Sequence, residues 1–402
     1  MRKVLLFAFV LTVCLVPAGL LCGPNDFPYV GLPLHERAEK LQADMRDHNL
    51  CEGLVIPRNL FPPQGNSDNS TGHHEDGCNC SGPYLAALSY QYAATKQPEV
   101  LQWCRETAGA LEKLENVTGV PGAFGRSFYR SDKPQPHEEW FFFPGEWHQS
   151  TSMKGYRWLG DPSSDSLTHM LYGNAIYYDL VADDVEKERV SRLVNRIMSR
   201  VIDYNMKLTD VDGKMTLWGN FCPDLPKENL NFLLPLAHLK IAYHVTSDPK
   251  FQHKYLELIR KCNYHEEAIG AKLIGTLDAT AAPWDDYLGM RGLYHLMRHE
   301  TDPWLLGFYR AALERYWFVF KDKHNAYFDF IYQVLVPDSN VVDEESLKDL
   351  GTLTGARRWS GTETMRREGP DDVITGTWQE SPHQYLLVYW MGRYYKFVPE
   401  SR

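Results

Sequence analysis

The feature that most constrains this chain is a recurring unit of a helix, a short turn and a second helix. Four copies of the turn run from Tyr90 to Pro98, from Tyr178 to Asp184, from Tyr243 to Pro249 and from Arg298 to Pro303. In most of them a Thr or Asp precedes a proline or an acidic residue. Proline is pre-set for the first position of a helix, and the Thr or Asp side chain can accept the unpaired N–H groups of that helix's first turn. Each copy therefore reads as an αα-hairpin. The second helices, such as residues 185–206 and 304–320, carry apolar residues at helical spacing (Val190, Leu193, Val194, Ile197 and Val201) and charge elsewhere, as an outer helix facing water does. The first helices, over residues 167–180 and 231–243, are apolar almost all round and read as buried inner helices. Hairpins of this kind close into an α/α toroid or extend as an α-solenoid. The turns at positions 98, 185, 249 and 303 are unevenly spaced, unlike a solenoid's fixed period, so an all-α toroid is expected. A last helix near residues 381–397 is expected to close it against the first.

Short turns at one end of such a ring force the long connections to the other. These run over about residues 115–163, 207–228, 262–283 and 321–378, beside the N-termini of the inner helices. Loops of this length in a compact domain usually carry function. They concentrate Trp beside carboxylates, in a chain with 11 Trp and 23 Tyr. The C–H faces of a sugar stack on such rings, while its hydroxyls take Asp, Glu, Asn and Arg partners. A carbohydrate partner follows. Glycoside hydrolysis needs one carboxyl to protonate the leaving oxygen and another to attack or to activate water. Asp165 and Asp286, each beginning an inner helix, are the expected pair, with Asp76 a further candidate. Trp158, Trp218 and Trp284 are the expected stacking surfaces. Ser and Asp at helix starts are also ordinary N-caps, so capping competes with catalysis at each carboxylate. His169 and Tyr172, four and seven residues beyond Asp165, would extend the site or simply pack. A second reading on the same fold is a polysaccharide lyase or epimerase, with Tyr172 or His169 as base and Arg157 neutralising a uronate. A third is a glycan-binding protein without turnover.

A formal net charge of -10 argues against nucleic acid as a partner. No G-x-S-x-G elbow, Walker loop or dinucleotide fingerprint occurs, so no cofactor is expected. His73 and His74 are adjacent and point apart, and Asp210-Val211-Asp212-Gly213 lacks the later glutamate of a calcium loop, so no metal is expected either. Residues 1–22 read as a secretory signal peptide, with Arg2 and Lys3 before an apolar run too short to span a membrane, leaving 23–402 as a single domain. A secreted, extracellular protein with no membrane span is expected. Six cysteines then remain, Cys51, Cys78, Cys80, Cys104, Cys222 and Cys262, an even number compatible with three disulfides among about 15 pairings. Sequons at Asn69, Asn79 and Asn116 fit a secreted glycoprotein.

Four segments carry a resemblance: Gly155 to Ser166 (GYRWLGDPSSDS), Tyr178 to Asp183 (YDLVAD), Asp212 to Gly219 (DGKMTLWG) and Tyr389 to Tyr394 (YWMGRY). From about Asp76 onward the chain resembles secreted proteins of the six-hairpin glycosidase-like superfamily. The resemblance implies an (α/α)6 toroid with a carbohydrate-binding mouth. It also implies that Asp76, Asp165, Trp218, Asn231, Asp285 and Asp286 belong to the group's motifs, with Asn231 and Asp285 lining the mouth. His74-Glu75-Asp76 stands where Asp-Asn-Asp is more usual.

Overall fold

The structure, a computed structural model, describes residues 29, 31–56, 58–60, 77–132, 146–227, 229–271, 284–352, 358–366, 373–379 and 382–400. Six helices are buried along most of their length: α2 (Gly77–Thr95), α4 (Ser164–Leu180), α6 (Leu230–Thr246), α9 (Trp284–His299), α11 (Ala326–Leu335) and α13 (His383–Tyr394). Each packs on the next, α2 on α4, then α6, α9, α11 and α13, and α13 returns to α2. The ring closes. Around it lie α3 (Pro98–Asn116), α5 (Asp184–Asp203), α7 (Pro249–Cys262), α10 (Pro303–Phe320) and α12 (Glu344–Thr352), each following its inner helix in the chain. The sixth outer helix is α1 (Leu34–His48), which packs on α13. The two ends of the chain thus form one hairpin. Tyr385 Oη donates to Leu34 O at 3.2 Å, and Arg37 Nη1 donates to Gly351 O at 2.7 Å. A short helix, α8 (Tyr264–Ile269), fills in between α6 and α10. These contacts define an (α/α)6 toroid.

The turns form as their residues dictate. Asp183 caps α5 by accepting from Glu186 N at 3.0 Å, and Glu186 reaches back to the Asp183 N–H. Asp248 accepts from Lys250 N at 3.0 Å and Asp302 from Trp304 N at 2.9 Å, each ahead of a first-position proline. Inner helices α2 and α4 approach closely at two glycines. A Cβ on Gly82 would lie 2.0 Å from the His169 carbonyl oxygen, and one on Gly173 would lie 2.3 Å from the Gly82 oxygen. Tyrosines fill the lower bore of the ring: Tyr294 Oη is 2.8 Å from Tyr90 Oη and 2.6 Å from Tyr395 Oη. The ring is a cup with a plugged base.

Three expectations need correction. The span 321–378, expected as one loop, contains the hairpin α11 and α12. Its inner helix, Ala-Tyr-Phe-Asp-Phe-Ile-Tyr, is rich in aromatic residues of modest helix propensity and is stabilised by burial and by the Asn325 cap. Among the described residues the long connections also carry ten short strands, β1 (Leu50–Cys51), β2 (Leu54–Val55), β3 (Arg58–Leu60), β4 (Ser127–Arg130), β5 (Trp147–Gln149), β6 (Tyr156–Leu159), β7 (Lys207–Thr209), β8 (Met215–Asn220), β9 (Arg358–Arg366) and β10 (Val373–Gln379), paired antiparallel throughout. Finally, no disulfide joins Cys51, Cys78, Cys80, Cys104, Cys222 and Cys262. Cys78 and Cys80, two apart on α2, project to different sides, and Cys78 Sγ donates to Ser166 O at 3.3 Å. Burial pushes the Cys51 thiol up to about 11 and the Cys104 thiol higher still. Residues 1–22 lie outside the described residues.

Candidate functional site

The inner helices run in one direction, so their N-termini share one rim, where Asp165, Asn231 and Asp285 sit half-buried in the first turns of α4, α6 and α9. At Asp165 the competition between capping and function is resolved by its neighbours. Ser163 caps α4 by accepting from Ser166 N at 3.2 Å, and Ser163 N donates in turn to Ser166 Oγ. Asp165 is therefore not needed as the cap, and it accepts from Ser164 Oγ at 3.2 Å. With His169 and Tyr172 it forms one stripe, at i, i+4 and i+7, along the inner face of α4.

Below Asp165 lies a floor that joins four inner helices. Arg291 of α9 is buried (4% exposed), and its guanidinium binds His169 Nε2 of α4, Tyr327 Oη of α11 at 3.3 Å and Gln384 Oε1 of α13 at 2.6 Å. Burial, then the charges of Arg291 and His383, push the His169 imidazole well below its usual range, so it is neutral. His238 of α6, held down to about 3 by burial, lies 2.9 Å from Thr168 Oγ1 on α4. The result is a positive charge ringed by neutral donors and acceptors.

One wall is the β7–β8 hairpin. Leu217 N donates to Asp161 Oδ1 at 2.8 Å, and Asp161 N donates to Asp210 Oδ2 at 2.7 Å, which fastens the hairpin to the turn entering α4. Asp161 adopts φ 54°, and a Cβ on Gly160 would lie 2.6 Å from Asp210 Oδ2, so this turn needs its glycine. Trp218, on this hairpin, is 51% exposed, in keeping with a stacking surface.

Several expected site residues are placed elsewhere. Asp286 is fully buried, and because it lies five residues before Arg291 it is turned about 140° around α9 from the bore. It faces α10 instead: burial and then the Asp286 charge push the Tyr316 phenol up, and a Cβ on Gly289, on the same face, would lie 2.1 Å from Tyr316 Oη. Of the two adjacent carboxylates it is Asp285, not Asp286, that stands with Asp165 at the rim. Trp158 is 2% exposed because β6 lies between β4 and β5, with His148 stacked on its ring at 4.4 Å. Arg157 donates to Trp147 O at 3.2 Å, bracing the same sheet. Tyr172 is buried between Tyr294 and His295, and burial and its phenol neighbours push its own phenol well up. Asn79, in the first turn of α2, accepts from Ser166 Oγ at 2.9 Å and its sequon serine, Ser81, is fully buried, so it is a poor glycan acceptor. Asn116 is exposed at the end of α3. Asp76, Asn69 and the side chain of Trp284 lie outside the described residues.

Arg291, His238 and Gln384 were not singled out from the sequence. The available signal was a charged or polar residue within an otherwise apolar inner helix.

The ring defines the class of protein, an (α/α)6 toroid open at its inner-helix N-termini. No protein-family profile and no curated protein matches the sequence. Among solved structures the chain is similar to an unsaturated glucuronyl hydrolase specific for heparin, at 10% identity over 90% of this chain and 97% of that one, with a TM-score of 0.46. It is also similar to a family 76 glycoside hydrolase (mannosidase) from Bacteroides thetaiotaomicron, at 11% identity over 90% and 97%, with a TM-score of 0.45. A cellobiose 2-epimerase from Spirochaeta thermophila matches at 13% identity over 90% and 98%, with a TM-score of 0.43.

Proposed function

We propose that this protein is a carbohydrate-active enzyme, a glycoside hydrolase that binds an oligo- or polysaccharide in the mouth of the ring. The observation that carries the reading is Asp165. It is relieved of capping by Ser163 and Ser166, half-buried at the rim, and set above a floor of buried polar groups. Asp165 is the acid–base carboxylate and Asp285 the second carboxylate. Trp218 offers a sugar ring a face to stack on. Asn231 and Gln384 supply hydroxyl partners. The leader-like residues 1–22 and the exposed Asn116 support secretion as a glycoprotein, which a mass shift on enzymatic deglycosylation of protein taken from the medium would check.

The contact between His169 and Arg291 supports a second reading, epimerisation. A neutral imidazole can take a proton next to a sugar carbonyl while the guanidinium stabilises the enolate oxygen. One experiment separates the two: incubation with a panel of neutral and uronate-containing saccharides in deuterated water. New reducing ends, lost in Asp165→Asn, support hydrolysis. Deuterium incorporation without cleavage, lost in His169→Gln, supports epimerisation. Binding without either reaction removes the enzyme reading.

A further inference from the structure

The opposite end of the ring carries a second polar cluster. Asp179, His244 and His299 sit near the C-termini of α4, α6 and α9. One ligand atom from each, an Asp179 carboxylate oxygen and a ring nitrogen of each histidine, lies within 4.8 Å of the other two. His244 Nε2 is 2.6 Å from Asp179 Oδ1, and the His244 and His299 rings stack at 4.0 Å. Asp179 is fourteen residues beyond Asp165 on the same inner stripe, about 21 Å along α4. The cluster is therefore separate from the mouth, and it is open to solvent at Asp179.

We propose that Asp179, His244 and His299 bind a divalent transition-metal cation of the zinc type. Two imidazoles and one carboxylate, with water in the fourth position, are a common zinc donor set, at ligand distances of about 2.0–2.2 Å. Donor atoms around a tetrahedral ion of that size stand about 3.4 Å apart, a spacing that falls within the 4.8 Å spanned by the three ligand atoms. The surroundings support this. Three helix C-termini present their negative ends to the cluster. His295 Nδ1 lies 3.4 Å from His299 Nε2 and orients that ring from behind, as an outer-shell partner does. Two cations stand near. Lys240 pairs with Glu300 at 3.3 Å and Arg298 donates to Tyr294 Oη at 2.5 Å, and both cations act on the His299 ring.

The three ligands also occupy matching positions in the hairpin repeat. Asp179 and His244 each stand four residues before the capping Asp183 and Asp248, and His299 stands three before the capping Asp302. Neighbouring copies of one hairpin thus deliver them to the same level of the ring.

The test uses the full chain, stripped with chelator and dialysed against zinc alone, with bound metal counted by mass spectrometry and cobalt substitution followed by its visible absorption. One zinc per chain and a tetrahedral cobalt spectrum are expected. His244→Ala and His299→Gln should each weaken zinc binding by more than the roughly 10–100-fold that outer-shell changes cost. Asp179→Asn, at an exposed position, serves as the variant least prone to misfold, with circular dichroism as the check. Failure of the wild-type chain to retain zinc, or unchanged zinc in a folded His244→Ala/His299→Gln double variant, would overturn the proposal.

Discussion

The two ends of the ring are built from the same inner helices and differ in almost everything else. At the N-terminal end long connections fold into small sheets, Trp218 stands in solvent, and half-buried carboxylates stand at the rim above a buried arginine bound to neutral groups. At the C-terminal end the turns are short and capped by Asp183, Asp248 and Asp302, and the polar groups are paired closely with one another. The reason lies in the hairpin. A short turn leaves no chain to spare for a binding surface, so that end can only bring side chains of neighbouring helices together. Long connections supply walls and openings. The lesson is that one stripe of α4, running from Asp165 to Asp179, meets an open rim at one end and a compact group of paired side chains at the other.

Four substitutions break or sharpen this contrast. Asp165→Asn is expected to lower turnover by about 10²–10⁴-fold, the usual contribution of an acid–base group, with an unchanged melting temperature. If turnover survives in the folded variant, the mouth is not organised around this residue. Next in size, Gly82→Ala should destabilise the fold by about 3 kcal/mol, because the new methyl would meet the His169 carbonyl and force α2 from α4. A denaturant titration with a drop of less than about 0.5 kcal/mol would show that the ring relaxes more easily than its packing implies.

Asp329 of α11 gives a pH signature of similar size. Burial raises its carboxyl to about 7, against an unfolded value near 3.8, and Ser346 Oγ donates to it. Between about pH 4 and pH 7 the folded chain keeps a proton that the unfolded chain has released. Stability therefore falls as pH rises through that window, by up to about 4 kcal/mol at about 1.4 kcal/mol per pKa unit. Asp329→Asn should flatten this part of the pH–stability curve, and a curve parallel to wild type would place the titration elsewhere. The smallest effect is expected at the hairpin wall. Trp218→Ala should weaken saccharide binding by about 0.5–1.5 kcal/mol, the range of an aromatic stacking contact, and leave the melting temperature unchanged. Unchanged affinity in a binding titration would show that sugars do not stack there.

What the sequence alone determined is the hairpin and its direction. Asp or Thr before a turn, proline at the first helical position and apolar patterning are local signals, and each acts within a turn of helix. They place the outer helices at Pro98, Val185, Pro249 and Pro303, the second of them one residue after its observed start, and they identify the loop rim that carries Asp165 and Trp218. The aromatic helix α11 was not legible, because its residues have modest helix propensity and burial supplies most of its stability. Which carboxylate faces the bore was not legible either. Asp285 and Asp286 are adjacent, and a rotation of about 100° sends one to the rim and the other against Tyr316. That choice, like the meeting of Arg291 with His169, Tyr327 and Gln384 or of Asp179 with His244 and His299, depends on how helices far apart in sequence settle around a common axis. Only the closed ring decides it, because the side chains that meet there belong to no shared local segment.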